Sequence, residues 1–177
     1  SRRSVLAVSM PGFGTSAKTR NLAQRLATNG GVSFREIDIR AACERHLHDI
    51  GLSRKDRSVA FENAQARERT QVLMDLANME KGLVVGTGDL SELALGFATY
   101  GGDHLSMYNV NGSVPKTLVR FLVRAAARDP LHAAESAALE DVLSLPISPE
   151  LLPPGARGEI AQRTEDILGP YEVHDFL

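Results

Sequence analysis

One cysteine, no long apolar run and almost no net charge: each of these shortages excludes something. Cys43 has no second cysteine to pair with, so no internal disulfide is possible and a reducing cytoplasmic compartment is the simplest expectation. No apolar stretch approaches the about eighteen residues of a membrane span, so no membrane partner is expected. Ser1-Arg2-Arg3 is basic, but the apolar run after it, Val5 to Val8, is far too short for a secretory signal. A formal net charge of −2, with Arg and Lys scattered among acids, leaves no basic stripe for duplex nucleic acid, and no nucleic-acid partner is expected. Internal repeats and low-complexity segments are also missing.

What is present is enough for one domain with a core: 177 residues, of which 43% are apolar. Val5 to Met10 reads as a short buried strand ended by Pro11-Gly12-Phe13-Gly14. Leu22, Ala23, Leu26 and Ala27 mark a helix over 17–28, stopped by Asn29-Gly30-Gly31. Val32 to Ile39 then alternates as a second strand. The 41–48 stretch reads as a helix, and 50–58 as a polar excursion packed on a sheet edge or another subunit. Over 61–79 an apolar stripe of Ala64, Val72, Leu73, Leu76 and Ala77 predicts a helix closed by Lys81-Gly82, with Asn63, Arg67, Thr70 and Gln71 on another face. Leu83-Val84-Val85 follows as a strand. Such β-α-β alternation with short connections argues for an α/β fold with a parallel sheet.

The centre of the chain is Val84 to Glu92, running through Gly96–His104 to Val114-Pro115-Lys116. It reads as a strand, a glycine-broken turn, a helix from about Asp89, a second glycine-rich loop and a further helix start, which is how α/β proteins build ligand crevices at strand C-termini. Ser113 reads as the N-cap of that further helix, 117–127, whose buried face is Leu118, Val119, Leu122, Val123 and Ala126. Asp129-Pro130 breaks it, 135–145 is helical again, and Pro146 to Gly155 is an extended loop. The tail from Ile160 holds a turn at Thr164-Glu165-Asp166, a Gly169-Pro170 break and the start of a helix, which suggests a piece of something longer.

Several of these stretches, taken in order, resemble one family. They are Met10–Thr15, Glu62–Arg69, Gly86–Ala94, Tyr100–His104, Ser113–Thr117 and Gly169–Phe176. Together they look like the synthetase domain of NAD synthetase, especially the long glutamine-dependent bacterial form, along nearly the whole chain. That resemblance implies an N-type ATP pyrophosphatase: a doubly wound parallel sheet, adenine nucleotide alpha hydrolase-like, here truncated at both ends, with residues 1–177 forming a single partial domain. It also implies ATP, Mg²⁺ and deamido-NAD as cofactor and substrates. The carboxylate of deamido-NAD would be adenylated and ammonia would then displace AMP. A glutaminase domain, absent from this stretch, would supply the ammonia, and the enzyme would be a homo-oligomer.

The same resemblance assigns residues. Thr87 and Glu92 match positions that hold Mg²⁺, and hydroxyl and carboxylate are the hard oxygen ligands this ion prefers; read without the family, Asp89-x-x-Glu92 is a capping box. Asp103 and Lys116 match a nucleotide-binding aspartate and a phosphate-binding lysine, the lysine otherwise being an ordinary solvated first-turn residue. Asn63 and Arg67 match contacts to deamido-NAD, against the alternative of a surface helix salt-bridged through Glu68 and Asp75. Pro11 and Gly12 match the adenine-side turn, and Ser148 a hydroxyl near ATP. His174 either lines the dinucleotide site or packs. Outside the family positions, His46 and His48 point apart on a helix and form no metal site, Cys43 is a core filler, and Met74, Met79 and Met107 are packing residues.

The chain departs from the family in lacking a Ser-Gly-Gly-x-Asp-Ser pyrophosphate loop, whose amides and hydroxyls grip ATP phosphates. The polypeptide alone is therefore expected to have no synthetase activity. Ser16 to Leu22 is a smaller departure. Two other readings stand beside a synthetase fragment: a shortened non-catalytic nucleotide-binding or assembly subunit, and another N-type ATP pyrophosphatase such as GMP synthetase.

Overall fold

The β-α-β pattern at the start of the chain and the strand–turn–helix pattern at its centre both form. The structure, a computed structural model, describes residues 4–153 and 163–176. Pro154, Gly155 and Ile160, which figured in the expected loop and tail, lie outside the described residues. The chain divides into two compact units, Ser1–Ile37 with Thr117–Leu177, and Asp38–Lys116.

In the first unit, β1 (Leu6–Ser9) and β2 (Ser33–Glu36) pair in parallel, Leu6 opposite Ser33 and Ser9 opposite Glu36. The helix α1 (Ala17–Asn29) connects them. Its N-cap is Ser16, whose hydroxyl accepts the Thr19 amide at 3.1 Å. Gly31, at φ 66°, turns the chain into β2, a left-handed conformation that favours glycine. Leu22 and Ala27 are buried, and α6 (Ser136–Leu143) packs on α1 with Ala138 fully enclosed.

The expected buried face of α5 (Lys116–Arg128) is largely open: only Ala127 is buried, while Leu118, Phe121 and Leu122 are exposed. Helical periodicity identified the apolar stripe but carries no information about what covers it. The tail also differs from expectation, because Thr164–Leu168 is a short helix, α7, instead of a turn. The Thr164 amide donates to the Ile147 carbonyl at 3.0 Å, and this non-local bond starts the helix. After the Gly169-Pro170 break comes α8 (Tyr171–His174).

In the second unit, α2 (Arg40–Asp49) buries Cys43 and Leu47 and packs on α3 (Val59–Glu80). The helix expected over 41–48 is therefore present, and its partner is α3. Cys43 is a core residue, and burial raises its thiol to about 11, with the Glu68 charge adding to it, which keeps it protonated at neutral pH. The α3 stripe is buried at Ala64, Leu76 and Ala77. Lys81 closes the helix in a left-handed conformation, φ 54°, with the Gly82 amide returning to the Ala77 carbonyl at 2.8 Å. Met79 and Met107 are exposed, against the expectation of packing.

β3 is only Val85–Gly86, preceded by the buried Val84, and pairs in parallel with β4 (Tyr108–Asn109). The sequence reading lacked β4, since two residues carry no alternation. The fold is α/β, with both strand pairs parallel. No helix among the described residues is long and apolar enough to cross a membrane.

Candidate functional site

Three constellations hold most of the expected site residues. The first lies where β3 ends. Gly86 is forced by its neighbour: an added Cβ would lie 2.2 Å from Ser106 Oγ and 2.7 Å from Ser106 Cβ. Thr87 follows in the exposed part of the turn. Asp89 then caps α4 (Leu90–Leu95), accepting the Glu92 amide at 3.0 Å while Glu92 Oε2 accepts the Asp89 amide at 3.1 Å. The capping box foreseen in the sequence is therefore present.

Lys116 closes over this box. Its ammonium lies 2.5 Å from Asp89 Oδ2 and 2.8 Å from Glu92 Oε1, and its own amide donates to Ser91 Oγ at 2.8 Å. The amide of this first helical residue is thus satisfied by Ser91, where Ser113 was expected as the cap. The Val114 amide is turned back on the Asn111 carbonyl, so the turn before α5 closes on itself. Lys116 is not the solvated lysine that composition alone suggests: its side chain is 14% exposed, and that of Asp89 4%. Burial pulls its pKa down, but the hydrogen bonds and charges of Asp89 and Glu92 outweigh this and hold it above the ordinary lysine value. A lysine so held stays cationic at neutral pH.

The donor chemistry at this turn suits Mg²⁺ in part. Thr87 offers a hydroxyl and Glu92 a quarter-exposed carboxylate, the kind of sparse oxygen set that Mg²⁺ shares with substrate phosphates. Among the described residues no group of three or more His, Cys, Asp or Glu side chains forms a metal cluster, so these residues would need ligand oxygens to complete a shell.

The second constellation joins α3 to the Thr99–His104 loop. Asn63 is buried, unlike a residue of the salt-bridged surface helix that was the alternative reading. Arg67, one turn on, is exposed and donates to the Tyr100 carbonyl at 3.1 Å, across to the 99–104 loop and not to Glu68 or Asp75. Gly102 lies so close to α3 that an added Cβ would be 2.8 Å from Ala66 Cβ. Asp103 Oδ1 accepts the Thr99 amide at 3.2 Å, and the His104 ring bonds the Thr99 carbonyl at 3.0 Å. The loop thus lies against α3 at Ala66 and Arg67, with Asp103 one residue beyond Gly102.

The third lies in the other unit, where the Pro11–Gly14 turn meets the 148–150 segment. Pro11 and Gly12 are buried, and the Gly12 amide donates to Thr15 Oγ1 at 3.0 Å. Ser148 Oγ accepts the Glu150 amide at 3.2 Å. Glu150 Oε1 accepts the Thr19 hydroxyl at 2.6 Å, and Oε2 accepts the Ser16 amide at a long 3.5 Å. Glu150 and Thr19 were missed in the sequence, because 131 residues separate them and no local pattern links them. His174 is half-buried, and its ring donates to the Leu168 carbonyl at 2.7 Å.

Against known proteins, the model of the family described as NAD synthase matches residues 1–176. The chain is 45% identical over 181 aligned residues to the glutamine-dependent NAD(+) synthetase of Mycobacterium tuberculosis, covering 99% of this chain and 26% of that protein. Among solved structures, a glutamine-dependent NAD+ synthetase from Acinetobacter baumannii in complex with adenosine diphosphate has a TM-score of 0.69 at 29% identity, over 80% of this chain and 26% of that one. An NMN synthetase from Francisella tularensis has a TM-score of 0.78 at 22% identity, covering 97% and 65%, a likeness of fold alone. The chain spans about a quarter of the length of the curated relative.

Proposed function

The chain belongs to the NAD synthase family, and from that premise we propose that it is part of an enzyme that amidates deamido-NAD to NAD with ATP. The nicotinate carboxylate attacks the α-phosphorus of ATP, pyrophosphate leaves, and ammonia then displaces AMP from the adenylate to give the amide. The observation that supports this most is Lys116, a half-buried, persistently cationic side chain paired with Asp89 and Glu92 in the turn after β3, in a chain whose residues 1–176 match the family.

In this reading the Lys116 ammonium neutralises charge developing on the departing pyrophosphate, and Asp103 orients the nucleotide. Asn63 and Arg67 hold the acidic dinucleotide, Arg67 through its planar fork. Pro11 and Gly12 let the backbone approach adenine, Ser148 offers its hydroxyl to ATP, and His174 borders the dinucleotide. Thr87 and Glu92 would hold Mg²⁺, which when bound supplies charge neutralisation to the phosphates. Residues 1–177 are one partial synthetase domain, with ammonia coming from the glutaminase domain of a cytoplasmic, homo-oligomeric parent. The chain itself has no synthetase activity, since its sequence contains no Ser-Gly-Gly-x-Asp-Ser loop.

Isothermal titration of the chain with deamido-NAD, with and without Mg-ATP, tests this beside Arg67→Glu. Saturable binding that is lost in the variant, with no NAD formed, is the expected result. A folded chain that binds neither nucleotide sinks the reading in favour of a non-catalytic assembly subunit.

A further inference from the structure

Among the described residues, two non-glycine positions have a positive φ, and only one of them has a local explanation. Lys81, at φ 54°, ends a helix, where the left-handed conformation is routine. Glu150, at φ 47°, ends nothing. An outlier of this kind persists only where its surroundings over-determine it, and it tends to mark a ligand clamp.

The amide, the carbonyl and the carboxylate of Glu150 each meet a specific neighbour. Its amide donates to Ser148 Oγ. Its carbonyl oxygen sits where a Cβ on Gly14 would be 2.3 Å away, so the two backbones are in closest approach only because Gly14 has no side chain. Its carboxylate reaches the N-terminus of α1, taking the Thr19 hydroxyl at 2.6 Å and the Ser16 amide at 3.5 Å. The residue thereby fastens the segment that carries Ser148 to the turn that carries Pro11 and Gly12. These are the two segments that the functional reading gives to ATP and not to deamido-NAD.

We propose that Glu150 is a positioning residue for the ATP side of the site, holding Ser148 against the Pro11–Gly14 turn without itself touching the nucleotide. This rests on the functional reading above. The carboxylate is the needed group because it accepts from a hydroxyl and an amide at once and places negative charge at a helix N-terminus. The left-handed backbone is needed because it lets one residue present its amide to Ser148, its carbonyl to Gly14 and its side chain to α1.

Titration of the 177-residue chain with Mg-ATP and, separately, deamido-NAD tests this in Glu150→Gln, Glu150→Gly, Thr19→Val and the Glu150→Gln/Thr19→Val double variant, with circular dichroism to establish folding. Expected is a loss of about tenfold in ATP affinity for Glu150→Gln, the size associated with a charged hydrogen bond, with deamido-NAD affinity unchanged. Thr19→Val should show the same selective loss, and the double variant should be no worse than the worse single one, because both break one clasp. Glu150→Gly keeps the favoured backbone and removes the carboxylate; the same selective loss there assigns the effect to the side chain. Equal loss of both ligands means a merely structural role and overturns the proposal, as does unchanged ATP affinity in folded variants. A wild-type chain that binds neither nucleotide defeats the functional reading and this inference together, whereas wild-type binding with unaffected variants defeats this inference alone.

Discussion

The turn after β1 and the turn after β3 solve one problem in two ways. Each runs strand, glycine turn, capped helix, and each ends with a carboxylate at the N-terminus of that helix, where the aligned peptide dipoles favour negative charge. After β3 both carboxylates are local: Asp89 is the cap and Glu92 lies one turn on. After β1 the cap is the neutral Ser16, and the carboxylate is borrowed from Glu150, 134 residues away. The local version carries excess negative charge that the Lys116 ammonium offsets, while the borrowed version uses its single carboxylate to hold two segments together. The same helix-end electrostatics can thus stabilise one turn or join two.

The largest test of that contrast is Gly14→Ala. The added methyl meets the backbone carbonyl of Glu150, which cannot rotate away, so a loss of about 3 kcal/mol is expected by urea denaturation. No side-chain change at Glu150 should restore it; recovery in Gly14→Ala/Glu150→Ala would show that the clash is not with the backbone. Next is Lys116→Met, which leaves Asp89 and Glu92 without their cation and should lose about 2 kcal/mol at neutral pH. Because the folded pKa of Lys116 is raised, its contribution is fully present below the ordinary value of 10.5 and is lost as pH rises through the higher folded value. The gap between wild type and variant should therefore be flat up to about pH 10 and narrow beyond it; a gap that widens at high pH contradicts the assignment.

Gly86→Ala should cost about 2 kcal/mol, since Ser106 Oγ can rotate away from the added methyl but Ser106 Cβ, 2.7 Å from it, moves only with its backbone. Ser106→Gly should recover most of that loss, which separates this turn from the one at Gly14. The smallest effect is expected for Ser16→Asp. Aspartate is as good a cap as serine, but here its charge would face the Glu150 carboxylate, so thermal melting should show no gain, or a loss of about 0.5 kcal/mol. A clear stabilisation would mean that Glu150 does not occupy the helix end in solution.

The contrast also explains what could be read in advance. The β3 turn was legible because Asp89 and Glu92 are three residues apart and their geometry is a property of the helix start. The helices α1, α2 and α3 were legible for the same reason, through stripes such as Leu22 with Ala27 and Leu76 with Ala77. The strand β4, the α7 helix and the Glu150 clasp were not, because each depends on a partner distant in sequence: Val85 for Tyr108, Ile147 for Thr164, Thr19 for Glu150. Lys116 stood between these cases. The family resemblance singled it out, but its ion pairs with Asp89 and Glu92 needed the chain to be folded. The apolar stripe of α5 shows the opposite limit, since Leu118 and Leu122 have the right period and are nevertheless exposed.

The separation between partners also sets an order in time. Closing Lys116 onto Glu92 orders a loop of 24 residues, and closing Glu150 onto Thr19 one of 131. For flexible loops, that ratio of lengths makes the second closure about 1.5 kcal/mol less favourable. Contacts with the smaller closure entropy are expected to form earlier, so φ-value measurement should find the α4–Lys116 cluster more formed in the transition state than the Glu150 clasp. The clasp is then also the first contact to open from the native side, and breaking it accelerates unfolding while leaving the folding rate almost unchanged.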